Sequence, residues 1–198
     1  MGKGRLEAFS DGVLAILITI MVLELKVPHG EDLASLVPLI PKLLSYVLSF
    51  VYLAIYWNNH HHMLHVTHKV TGPILWANMH LLFWLSLIPF ATGWMGENRF
   101  APVPTAVYGV PLLMAGIAYW ILLQAILKAE GPDSVLAHAV GEDLKGKSSI
   151  LLYVAALGLA FVNPAIARAI YVLVALIWLI PDRRIERALA EYEARSRD

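Results

Sequence analysis

The 198-residue chain has no cysteine, and only 15% of its residues are charged. Without cysteine there is no disulfide framework, no thiolate metal site and no cysteine nucleophile. The shortage of charge is equally informative. A soluble domain averages about 25% charged and roughly 45–50% apolar residues, whereas here 59% are hydrophobic and mean hydropathy is +0.65. Soluble globular packing is disfavoured, and disorder is excluded because a chain this apolar has too much to bury. Fifteen basic and fifteen acidic residues leave no formal net charge, so nothing points to a nucleic-acid partner. The sequence also lacks a serine elbow, a phosphate-binding loop and a cofactor fingerprint, and enzyme function has no support from it. What the chain does have is long apolar runs, the mark of a polytopic membrane protein.

A membrane-crossing helix needs about 20 mostly apolar residues, with a range near 17–25. Six stretches meet or approach that length: 9–27, 33–57, 72–95, 105–128, 148–163 and 165–180. The last two are short and are separated by Asn163-Pro164. Together they are too long for one ordinary span. Two short helices joined by a tight turn, with Pro164 near the first helical position, fit best; one long kinked helix is the competing reading. The first stretch is no signal peptide, since it lacks a small-residue cleavage site and is followed directly by Glu24 and Lys26. The expected fold is an all-α membrane protein of six transmembrane helices over residues 1–181, with a short charged tail over 182–198.

Loop charge orients the spans. With six crossings both termini share one side. That side carries Lys3, Arg5, Lys69, Lys128, Lys145, Lys147, Arg183, Arg184, Arg187, Arg195 and Arg197, eleven in all. The other side carries four: Lys26, Lys42, Arg99 and Arg168. Basic residues gather in the cytoplasm, so both termini are expected there.

The first helix is the most informative. On a wheel of about 100° per residue, Ile20, Leu23 and Val27 fall within about 40° of Ile16. Phe9 and Gly12 extend the stripe toward the N-terminus, while Thr19 and Glu24 flank it. Ser10 and Asp11 point away from it, toward the rest of the bundle. An acid in an apolar span is costly and is normally paired or functional. Ser10 or Asp11 can cap the helix start, Asp11 can serve transport directly, or Arg5, Ser10 and Asp11 can meet Asn78, His80 and the histidines after Trp57 in an interhelical network. The network is the favoured reading. The periodicity by itself leaves open whether the stripe faces a pore, lipid or protein.

The run Arg5-x-x-x-Phe9-Ser10-Asp11-Gly12, followed by an aliphatic helix ending Val22-Leu23-Glu24-Leu25, resembles the signature of the bacterial branch of the endolysosomal transmembrane potassium channels. Trp57-x-x-His60-His61 and the stretch from Asn78 to Pro89-Phe90 extend the likeness. It implies six helices per subunit, a homotetramer, and a central cation pore lined by the first helix in the bacterial inner membrane. It implies potassium and other monovalent cations as cargo, with no bound cofactor. Such channels lack the Thr-Val-Gly-Tyr-Gly carbonyl filter, and so does this chain. Their constriction is aliphatic, and its narrowest position, five residues after the motif aspartate, is Ile16 here. Ile20 and Leu23 carry the next layers, with Thr19 as a polar layer between them. Glu24 at the outer mouth either attracts cations or pairs with Lys26 at the interface.

A second class is a metal-binding transporter or metalloenzyme. His60, His61, His62, His65 and His68 crowd nine residues, and His61/His65 and His65/His68 share helix faces, a spacing that suits zinc, copper or iron. Only His80 and His138 stand further along the chain, too few for a di-iron enzyme. The histidines are therefore expected to be structural, with His60 and His61 joining the polar network.

Overall fold

The computed structural model describes residues 2–132, 134, 136–137 and 143–179; the predicted tail over 182–198 and His138 lie outside them. Among the described residues there is no strand. The helices are α1 (Lys3–Leu23), a 3-10 segment (Leu33–Leu39), α2 (Ile40–His65), α3 (Gly72–Ser86), α4 (Ile88–Glu97), α5 (Pro102–Glu130), α6 (Leu144–Leu159) and α7 (Pro164–Leu179). Prolines set the beginnings. Pro41, Pro73, Pro89, Pro102 and Pro164 all stand at the first or second position of their helices, where the missing N–H has no intrahelical partner anyway.

The chain crosses six times. α3 and α4 are two halves of one crossing, interrupted at Leu87. The run over 72–95 read from composition is thus one crossing, with an internal turn at Leu87 that composition did not show. Pro89 has no N–H for the Leu85 carbonyl, and its ring crowds that turn. The last two crossings are separate helices of 16 residues each, and the single kinked helix is not what forms. At Asn163 the side-chain Oδ1 accepts the Ala165 N–H at 2.9 Å and caps the start of α7. The first helix stops at Leu23, so Val27 does not extend its stripe. Val27 precedes Pro28, and a residue before proline is pushed out of the helical region. Conversely, α2 runs on to His65, eight residues past the predicted span, so the first four clustered histidines are helical.

Contacts between helix ends respect the six-crossing topology. At one face Lys42 Nζ lies 2.9 Å from Glu97 Oε1, and Arg168 stacks 4.6 Å from the Phe100 ring centroid. At the opposite face the His68 ring and the backbone N–H groups of His68 and Lys69 donate to Glu130.

The interior is tied by hydroxyls as well as packing. Ser49 Oγ meets Thr92 Oγ1 at 2.6 Å and the Tyr108 hydroxyl at 3.0 Å, joining α2, α4 and α5. Tyr52 donates to the Tyr171 carbonyl at 2.6 Å, and Tyr171 donates to the Thr105 carbonyl at 3.1 Å, joining α2, α7 and α5. In a bilayer such bonds and close van der Waals contact replace the hydrophobic drive between helices. Small residues permit the approach: Ala115, Ala118, Ala156 and Ala160 are buried, whereas Ala155 and Gly158 face outward.

At Gly109 a Cβ would collide with the Tyr171 hydroxyl, whereas at Gly116 it would meet only ordinary contacts. Gly109→Ala is expected to displace Tyr171 and to destabilise the fold by about 1–3 kcal/mol. Gly116→Ala is expected to leave the melting temperature in detergent unchanged. Equal melting of the two variants would show that the α5–α7 approach is looser than the structure has it.

Candidate functional site: the first helix and its polar anchor

α1 is packed on one side only. Leu6, Ser10, Leu14, Leu17 and Met21 are buried, and on the wheel they span an arc about 80–160° from Ile16. Ile18, about 160° from Ile16 in the other sense, is half-buried against the core. The predicted stripe is uncovered: Ile16 is 58% exposed, Ile20 43% and Leu23 78%, with Phe9 and Gly12 also open.

What holds the packed side is a directional chain of hydrogen bonds. His60 Nε2 on α2 meets Asn78 Oδ1 on α3 at 2.6 Å. An amide oxygen only accepts, so the ring nitrogen is the donor. Asn78 Nδ2 then donates to Ser10 Oγ at 3.0 Å, and Ser10 donates to the Leu6 carbonyl at 2.9 Å. All three side chains are fully or almost fully buried. Every proton in the relay has one direction, and the asparagine uses both ends of its amide.

Asp11 is not part of that chain. It lies on an exposed flank of α1 and accepts the Trp57 indole N–H at 3.0 Å. Asp11 does point away from the stripe and does meet a neighbouring helix, but at the exposed rim of the packed side, about 20° on the wheel from Ile18 and about 60° from Leu14, and not in the buried interior. His61 stacks on Trp57 with ring centroids 6.2 Å apart, so it touches this pair through the ring rather than through a bond to Asp11. His80 is apart from both groups. It accepts the Trp84 N–H at 2.8 Å within α3. Asn78 and His80, two residues apart on a helix, point about 160° from each other and cannot face one neighbour. Arg5 is exposed and bonds to none of these residues. The predicted network is thus two anchors, Ser10–Asn78–His60 and Asp11–Trp57, with Arg5 and His80 elsewhere.

Reasoning from sequence used Trp57 only as part of the family likeness and missed it as the partner of Asp11. The signal was present, since an indole N–H one turn before the histidines is a donor with an obvious need. Thr19 lies on the open side and donates to its own helix, to the carbonyls of Ala15 and Ile16 at 3.1 and 2.9 Å. Glu24 caps the C-terminal end of α1, is exposed, and forms no ion pair with Lys26 among the described residues. The clustered histidines contact one another through their rings, His61 with His62 at 5.7 Å and with His65 at 6.0 Å. Among the described residues no three potential ligands converge as a metal site would require.

Comparison with known proteins fits this geometry. The profile of the family described as endosomal/lysosomal potassium channel TMEM175 matches residues 5–89, from α1 into α4. A protein named as a potassium channel from Chryseobacterium sp. (strain P1-3) is 58% identical over 191 residues, covering 96% of this chain and 100% of that relative. The chain belongs to the TMEM175 family. A second family member, named as a potassium channel of Streptomyces collinus, is 30% identical over 187 residues, covering 89% of this chain and 91% of its own. The crystal structure of a lysosomal potassium-selective TMEM175 homologue from Chamaesiphon minutus superposes with a TM-score of 0.80 at 28% identity. It covers 91% of this chain and 97% of the other. This TMEM175 chain is accordingly a multi-pass membrane protein whose relatives are ion channels, not enzymes.

The two anchors predict an ordering of stability. Asp11→Ala removes a charge-assisted bond to Trp57 and is expected to cost about 1 kcal/mol or more, roughly 2–4 °C in melting temperature at this chain length. Glu24→Ala removes no bond and is expected to melt as the wild type does. Thermal unfolding in detergent, read together with oligomer yield, checks this; equal behaviour of the two variants would remove Asp11 from the anchor.

Proposed function

We propose that four copies of the chain assemble around a central axis into a potassium-permeable channel, with α1 of each copy lining the pore. The supporting observation is the one-sidedness of α1. The helix is bolted to its own subunit along the arc from Leu6 to Met21, while Ile16, Ile20 and Leu23 are bare. Relatives named as potassium channels along nearly the whole chain support potassium as the cargo. The channel lies in the bacterial inner membrane with both termini in the cytoplasm, as the excess of basic residues on that side supports.

Rings of isoleucine and leucine on the axis restrict the pore by size and by dewetting. Ile16 forms the narrowest ring, with Ile20 and Leu23 above it toward the outer mouth. Because the Thr19 hydroxyl proton is committed to its own helix, the Thr19 oxygen keeps a lone pair for a passing cation, a weak polar layer between the aliphatic ones. Selectivity from such a pore is modest, since no ring of carbonyls replaces the hydration shell. Glu24, exposed just past the end of α1, raises the local cation concentration at the outer mouth.

Ile16→Asn places four amides in the constriction. It is expected to ease wetting and to supply ligands, raising cation flux by about tenfold for each roughly 1.4 kcal/mol of barrier removed, while the preference for potassium over sodium falls. Ile18→Ala, on the packed side, is expected to leave flux and selectivity near wild type. Flux into liposomes from each variant tests the assignment. Unchanged flux in Ile16→Asn together with altered selectivity in Ile18→Ala would place the pore on another face.

A further inference from the structure

One face of the bundle carries Lys26, Lys42, Arg99 and Arg168, and in the orientation proposed above it is the outer face. Lys42 pairs with Glu97 at 2.9 Å, and Lys26 bears on the same carboxylate. Arg99 and Arg168 form no ion pair among the described residues. Arg168 stands one turn inside α7 and is half-buried. A guanidinium at that depth is expensive against acyl chains unless an anion meets it. The Phe100 ring supports it from one side, with Arg168 Cζ 4.6 Å from the ring centroid. Stacking occupies a face of the guanidinium and none of its N–H donors, which point out along its edge. Among the described residues nothing accepts from those donors.

The turn that presents Phe100 is strained. Arg99 (φ +49°) and Phe100 (φ +62°) are consecutive left-handed residues, and neither is glycine. That conformation is costly for any residue with a Cβ. It reverses the chain after α4, where the Phe100 N–H bonds to the Met95 carbonyl at 3.0 Å, and it leaves Arg99, the chain neighbour of the ring, exposed.

Apolar surface lies at the same face. The turn between α6 and α7 exposes Phe161 (64%) and Val162 (78%), and Ile166 is open on α7. Acyl chains cover such side chains at no cost; water does not. α1 packs on α2, α3 and α4, whereas α6 and α7 pack on each other and on α5, and α7 also on α2. In the proposed tetramer α6 and α7 therefore stand at the lipid-facing periphery. Free guanidinium donors beside bare apolar surface match the two halves of an anionic phospholipid, since the planar fork of arginine fits a phosphate.

We propose that Arg168, with Arg99 adding charge, holds the phosphate of an anionic phospholipid of the outer leaflet, whose acyl chain lies on the α6–α7 turn. The lipid-facing position rests on the tetramer proposed above.

In the test, purified full-length protein is exchanged into mixed phosphatidylglycerol–phosphatidylcholine nanodiscs of matched acyl chains. Native mass spectrometry then counts copies and retained lipids separately. Phosphatidylcholine carries the same phosphate beside a cation, which two guanidinium groups disfavour. The Arg99→Gln/Arg168→Gln variant is expected to retain one phosphatidylglycerol fewer per chain than wild type, and Lys26→Gln the wild-type number. Arg99→Gln alone, at an exposed side chain, is expected to weaken retention about fivefold, the effect of one basic residue beside an anionic lipid. It decides the matter if the double variant fails to fold. Excess inorganic phosphate is expected to displace nothing. Wild-type retention in either arginine variant, or an equal loss in Lys26→Gln, overturns the proposal. Displacement by inorganic phosphate overturns it too, by showing a site for a free anion. A tetramer without the extra lipid sinks this inference alone; another copy number with the lipid retained sinks the pore reading alone.

Discussion

The structure depends on how α1 is rotated about its own axis, and one buried relay sets that rotation. His60, Asn78 and Ser10 belong to three different helices and satisfy one another in a single direction. Each hydrogen bond contributes only about 0.5–1.5 kcal/mol, but a buried group left unsatisfied costs about 1–3 kcal/mol. Rotating α1 by one residue would break the bond from Asn78, leave that amide without its acceptor in an apolar interior, and expose Leu14 and Leu17. Packing of leucines against leucines tolerates small rotations; a two-ended amide does not. The polar chain thus supplies the angular precision that aliphatic packing lacks.

That precision has a consequence for the opposite face. Because Ser10 is pinned inward, the positions about 80–140° from it in the other sense are pinned outward, and these are Phe9, Ile16, Ile20 and Leu23. A bare aliphatic face is unremarkable on a membrane protein, since lipid covers it at no cost. The distinction lies in the neighbours. α1 is held firmly along a narrow arc, and its second anchor, Asp11 to Trp57, lies on an exposed flank rather than inside the subunit. A charged side chain on an outward flank at membrane depth is expensive against lipid and far less so against a second protein copy or a water-filled axis.

Much of this was legible in the sequence. Runs of apolar residues marked six crossings, Asn163-Pro164 marked the turn between the last two, and the spacing of Ile16, Ile20 and Leu23 marked one side of α1. The rest was hidden for physical reasons. Periodicity gives the direction of a side chain but not where the neighbouring helices end, so Asp11 was read as interior although it stands at the exposed rim of the packed side. The break at Leu87 was masked because Pro89 sits in an apolar run long enough to span without it. Trp57 was ambiguous, as an indole at a helix end serves an interface or a buried-edge acceptor equally well. The small pocket between α2, α5, α6 and α7 was out of reach, because Tyr56, Gly116, Tyr153 and Trp178, which line it, lie tens of residues apart and only packing brings them together.

The two halves of the subunit divide the work by residue chemistry. Where helices must hold an angle, the chain uses short polar side chains: Ser10, Asn78, Ser49 and Thr92, with Tyr52, Tyr108 and Tyr171 reaching across. These are costly to bury unpaired, and they specify one arrangement because few others satisfy them. On the bare face of α1, which the proposed pore turns toward the ions, the chain uses branched aliphatics, which hold nothing tightly. A pore lined by such residues releases a cation as readily as it admits one. In the proposed pore, selectivity comes from the width of the rings, hence from the rotation of α1, and so from the buried amide of Asn78, which lies on the packed side of that helix and not on its bare face.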